Sequence, residues 1–116
     1  MTILVLQGPN LNLLGLKSST IGDKLTLDRF NKAIRLHIRN KKIKLKIVQT
    51  NKEYIALNFI QRNRNIANGL IVIPTSWAKY NQTLLETINL SNLPTASIYF
   101  EKSYSFGTNE KDSMLI

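Results

Sequence analysis

Thr2-Ile3-Leu4-Val5-Leu6-Gln7-Gly8-Pro9-Asn10-Leu11-Asn12-Leu13-Leu14 decides how the chain folds. Residues 3–6 are an uninterrupted apolar run, too short for a helix of its own, and they stop at Gly8-Pro9. Such a run reads as a strand buried on both faces that ends in a sharp turn. A strand of that kind is central in a parallel sheet and delivers its next residues to the carboxyl edge, where open α/β folds place their ligands. Asn10 and Asn12 are therefore candidates for chemistry, with a plain polar turn as the alternative.

Working outward, Gly69-Leu70-Ile71-Val72-Ile73-Pro74 repeats the pattern and marks a second central strand. Between the two, residues 43–49 alternate, with Ile43, Leu45 and Ile47 on one side and Lys44 and Lys46 on the other, as expected of an edge strand. Thr26 and Asp28 open a helix over about 27–40 whose apolar stripe is Leu27, Phe30, Ile34 and Ile38. Asn51 is placed to cap the next helix, with Ile55, Ala56, Phe59, Ile60, Ile66 and Ala67 as its buried face and Asn68-Gly69 as its stop. Residues 15–24 read as a mobile loop, and 75–81 as the loop after the second central strand. A helix through Leu84, Leu85 and Ile88 ends near Asn92, and a fourth strand covers roughly 96–100. The fifth strand falls on residues 113–116. Strands alternating with helices give one α/β domain over residues 1–116, a parallel sheet of order 2-1-3-4-5 with helices on both faces.

Composition agrees with a small globular domain: 43% hydrophobic and 20% charged residues is too apolar a balance for disorder. No apolar run approaches the roughly 18 residues of a membrane span, and no leader pattern precedes the first strand. No cysteine is present, which excludes disulfide and thiolate chemistry and suits a soluble protein of a reducing compartment. Richness in Lys, Asn and Ile suggests an AT-biased genome, so cytoplasm and plastid stroma are the compartments expected. His37 is the single histidine and lies beside the helical stripe, a packing or surface position rather than a metal ligand. The formal charge of +9 would suit nucleic acid, an anionic membrane or a small carboxylate. Its residues look spread along the chain, and the densest run, 39–46, reads as the exposed face of an edge strand, with nucleic-acid binding as the less favoured reading.

Gly8-Pro9-Asn10-Leu11-Asn12-Leu13-Leu14-Gly15 closely resembles the opening signature of the type II 3-dehydroquinate dehydratases, flavodoxin-like enzymes of the shikimate and quinate pathways. Leu25-Thr26-Leu27-Asp28, Gln49-Thr50-Asn51-Lys52-Glu53 and Gly69-Leu70-Ile71-Val72-Ile73-Pro74 agree with the family in order and spacing, so the likeness runs from residue 2 to about residue 100. The resemblance implies removal of water from 3-dehydroquinate, a small anion, by abstraction of the proton beside its ketone, with no cofactor or metal. It also implies a homo-oligomer, since the family forms trimers that pair into dodecamers. The family continues past the fifth strand into a final helix, which this sequence lacks.

In the family a loop tyrosine is the base, a loop arginine lowers its pKa, asparagines hold a water at the enolate oxygen, and a histidine is the acid. The resemblance places Asn10 at the first asparagine, with an Asx turn after Pro9 as its structural alternative. The family loop Arg-Glu-Pro-x-x-Tyr-Gly corresponds to Lys17-Ser18-Ser19-Thr20-Ile21-Gly22, one residue shorter. Lys17 stands for the arginine without its planar fork, and Ile21 stands at the base, where it can take no proton. The family's Asn-Pro-Gly-Ala-Leu-Thr-His-Thr-Ser corresponds to residues 73–81, with Ile73 at the water-holding asparagine and Lys79 at the substrate-binding histidine. Glu86 stands where an aspartate reaches a neighbouring subunit's site. Tyr99 replaces the acid histidine, Phe100 follows it, and Glu101 replaces a serine beside the substrate carboxylate, which a second carboxylate would repel. Tyr80, Tyr99 and Tyr104 are the hydroxyls available for a rearranged site. Three functions are consistent with these residues: an impaired or inactive relative of the enzyme, an active dehydratase with a rearranged site, and a basic module binding RNA or another acidic partner.

Overall fold

The computed structural model describes residues 1–14 and 25–100. Among the described residues, four strands, β1 (Thr2–Gln7), β2 (Lys44–Gln49), β3 (Gly69–Ile73) and β4 (Thr95–Ser97), form one parallel sheet in the order β2-β1-β3-β4. The two apolar runs are neighbours at the centre, with Ile3 opposite Gly69 and Gln7 opposite Ile73. The lysine-bearing strand lies outside β1 as an edge, Thr2 opposite Lys44. This is the expected 2-1-3-4 order. The expected fifth strand, residues 113–116, lies outside the described residues.

Alternation along β1 divides the core in two. Leu4 and Leu6 join Leu70 and Val72 of β3 and pack under α2 (Glu53–Asn63) and α4 (Gln82–Ser91), against Ala56, Ile60, Leu84 and Ile88. The other face turns toward α1 (Leu27–Ile38), where Ile73, Leu11 and Leu14 are packed by Leu25, Leu27, Phe30, Ile98 and Phe100. Gln7 also faces α1. It is wholly buried, and its Nε2 donates to Asn31 Oδ1 at 2.6 Å, while its Oε1 has no partner among the described residues. A buried amide on this face of the sheet is something the apolar pattern of β1 did not announce.

Thr26 caps α1 as its position implied, its hydroxyl accepting from the Arg29 N–H at 3.2 Å. The helix is two residues shorter than the stripe suggested, and none of its side chains is buried: Leu27, Phe30, Ile34 and Ile38 are all half-exposed. His37 is at the surface, where its Nε2 accepts from Lys41 Nζ at 3.2 Å. Helix α2 departs further from expectation. Asn51 does not cap it; Lys52 occupies that place, and the Thr50 hydroxyl accepts from the Lys52 N–H at 3.0 Å. Ile66, read as part of the buried face, is 57% exposed because the helix ends at Asn63 and the chain turns before reaching it. Lys46 is half-buried instead of solvated, its Nζ donating to Asn63 Oδ1 of α2 at 3.0 Å. The loop after β3 contains one short helical turn, α3 (Trp77–Tyr80). Asn81 then caps α4, its Oδ1 accepting from the Leu84 N–H at 2.9 Å, and Asn92 ends α4 in the left-handed region. Strand β4 starts and ends earlier than the expected 96–100, although Ile98 N–H still reaches the Val72 carbonyl at 2.9 Å.

Candidate active site

The carboxyl ends of β1, β2 and β3 are tied into one knot around Gly8-Pro9-Asn10. Gly8 N–H donates to the Ile73 carbonyl at 2.8 Å, and Gln49 Nε2 donates to the Gly8 carbonyl at 3.0 Å. The turns after β1 and β3 are so close that a Cβ at position 8 would stand 2.5 Å from the Pro74 carbonyl oxygen, which is why glycine is required there. Thr75 Oγ1 reaches across the same gap to the Pro9 carbonyl at 2.9 Å and lies 2.7 Å from the Pro74 carbonyl, so its one proton serves two acceptors.

Two residues of the knot have left-handed backbones. Asn10 (φ 66°) tolerates that region well. Thr75 (φ 51°) is β-branched and does not. The family motif that residues 73–81 resemble has glycine at the position of Thr75, and only that comparison, not the threonine itself, signals a left-handed residue here. The hydroxyl bond to Pro9 offsets part of the strain.

Asn10 is exposed at the rim, and its backbone N–H donates to Asn51 Oδ1 at 2.9 Å. Gln49 Nε2 lies 3.3 Å from the same oxygen. The Asn51 side chain, expected at a helix cap, is thus turned toward the β1 turn and fixes Asn10. A rim of neutral amides from Asn10, Gln49 and Asn51 results; the Gln49 N–H groups are directed at Gly8 and Asn51, so it is the amides of Asn10 and Asn51 that can donate to an oxyanion, and none can take up a proton at neutral pH.

Beside this rim the surroundings are apolar. Ile73 is only 1% exposed, packed with the buried Leu11 and Leu14. Phe100 closes the cluster, its ring edge-on to Phe30 with centroids 5.5 Å apart. Tyr99 is half-buried and follows Ile98 out of the sheet. Lys79 is exposed on α3, and Glu86 is exposed on α4. The structure therefore brings Asn10, Ile73 and Phe100 to one edge. Lys17, Ile21, Glu101 and Tyr104 lie outside the described residues.

Three comparisons with known proteins bear on this arrangement. The family model described as "Dehydroquinase class II" matches residues 1–115. A 3-dehydroquinate dehydratase of Clostridium botulinum is 30% identical over 112 residues, 97% of this chain and 76% of the relative. One of Trichodesmium erythraeum is 30% identical over 103 residues, 89% of this chain and 69% of the relative. Among solved structures, a type II dehydroquinase from Butyrivibrio crossotus superposes with a TM-score of 0.77 at 21% identity, over 98% of this chain and 84% of the other.

Proposed function

Because the chain belongs to the class II dehydroquinase family, we propose that it keeps the family's fold and strand-end turn but has largely lost the family's dehydration of 3-dehydroquinate. The observation that carries this reading is Ile73, 1% exposed within an apolar cluster at the position where the family holds a water for the enolate oxygen. A developing enolate needs donors aimed at its oxygen, directly or through water, and a side chain of carbon supplies none. The amides of Asn10 and Asn51, held in place by Gln49, support contact with a small polar group beside that cluster, yet neither replaces a base or an acid.

The remaining replacements point the same way. Ile21 at the base position has no titratable proton, and Tyr99 at the acid position is a phenol in place of an imidazole. Glu101 adds a negative charge where the substrate carboxylate would sit. These deficits fall together on base, acid, water and carboxylate sites, the pattern left when selection for one reaction is relaxed.

Calorimetric titration with 3-dehydroquinate tests the reading at the level of binding. The expected result is no saturable heat up to about 1 mM ligand, a dissociation constant weaker than about −4 kcal/mol of binding free energy. Saturation in the micromolar range would show an intact carboxylate site and contradict the reading of Glu101, and formation of 3-dehydroshikimate in the same sample at a normal rate would overturn the proposal.

A further inference from the structure

The charge of this protein is concentrated, contrary to the impression of a spread. Residues 29–52 hold nine Lys or Arg and no Asp or Glu, whereas the rest of the chain holds seven of each sign. The whole excess of +9 therefore falls between Arg29 and Lys52, from the first turn of α1 through the following turn and β2 to the start of α2. Folding gathers most of it at one place. Arg35 and Arg39 follow one another at i,i+4 on α1, Lys41 and Lys42 form the turn, and Lys44 opens β2; all five are exposed. The amino terminus joins them, the Met1 ammonium donating to the Lys42 carbonyl at 3.3 Å. Among the described residues, none of Arg35, Arg39, Lys42 and Lys44 meets a carboxylate. The ion pair of this helix, Lys32 with Asp28 at 3.0 Å, lies nearer its start.

The patch is on the wrong side to serve the candidate active site. It surrounds the amino ends of β1 and β2, while Asn10 and Ile73 lie past the carboxyl ends, about 20 Å away for six residues of strand. That separation exceeds the Debye length of about 8 Å at physiological ionic strength, so the five cations do little to attract an anion to the opposite edge. Like charges that meet no carboxylate among the described residues repel one another, which an external polyanion would relieve.

We propose that this end of the molecule, with Arg35 and Arg39 on the α1 side of the sheet, Lys41 and Lys42 in the turn at its edge and Lys44 on the side of α2, binds the phosphate backbone of a nucleic-acid duplex laid across it, without reading its sequence. Two observations favour that partner over a lipid surface and over a single strand. Large apolar side chains beside the cations are few, Leu36 at 63% and Met1 at 69% exposure, and the stripe of α1 is turned to its own sheet, leaving little to insert into a bilayer. The one aromatic residue in 29–52 is Phe30, which packs against Phe100, so no platform for stacking bases exists there.

Fluorescence anisotropy of the full chain with labelled RNA and DNA duplexes of about 20 base pairs tests the proposal. Five phosphate contacts give a slope of log affinity against log salt of about −4.5, a loss of about 500-fold between roughly 50 and 200 mM salt. Arg39→Ala with Lys42→Ala should reduce the slope by about 2, and Arg35→Ala with Lys44→Ala should do the same. Lys52→Ala, past the carboxyl end of β2, should leave it unchanged. Circular dichroism confirms that each pair is folded. No binding to either duplex at about 50 mM salt would overturn the inference. So would slopes unaffected by both patch pairs, or capture by phosphatidylglycerol vesicles with duplexes ignored.

Discussion

Thr75 shows how one residue joins two turns. Its left-handed backbone costs about 1–3 kcal/mol, and its hydroxyl bond to the Pro9 carbonyl returns about 0.5–1.5 kcal/mol. Replacing the hydroxyl alone separates the two effects. Thr75→Val keeps the strain and leaves the Pro9 carbonyl without that bond, so chemical denaturation should show a loss of about 1–3 kcal/mol. Thr75→Gly removes strain and bond together and should stay within about 1 kcal/mol of the parent. Asn51 makes the complementary point: its oxygen receives the Asn10 N–H, so a residue that looks like a cap in sequence holds the candidate site's rim in the fold.

At the scale of elements, the caps divide by burial. Asn81 is 5% exposed and holds the Leu84 N–H at the start of α4, so Asn81→Ala should cost about 1–2 kcal/mol by the same denaturation measurement. What the sequence made legible follows from the same physics. Runs such as 3–6 and 69–73 have no polar side to present, so their central, adjacent places were readable before any coordinates. Ile66 was misread because a helical period does not say where the helix stops, and Arg64 already leaves α2. The partner of Asn51 was hidden because bonds between strand ends 41 residues apart leave no periodic trace. Charge was misjudged for a different reason: cations separated by apolar residues in sequence converge where a helix end, a turn and a strand start meet.

For the whole molecule, the family's assembly and the exposed α4 surface, with Leu90 75% exposed and Glu86 beside it, lead us to expect an oligomer, a trimer before a dodecamer. Light scattering at tens of micromolar protein should give a mass near three chains; a monomer mass would contradict this. The central claim is that an apolar cluster and absent proton-transfer groups have replaced the dehydration machinery on a retained fold. Turnover of 3-dehydroquinate by the pure protein, followed as formation of 3-dehydroshikimate, tests it most directly. General acid and general base each contribute roughly 100- to 10,000-fold, and such losses need not multiply, so the rate should be at least about a thousandfold below that of an intact family member. Ile21→Tyr alone should recover little of it. A normal rate in the unmodified protein, abolished by Tyr99→Phe, would contradict the account and identify an enzyme with a rearranged site.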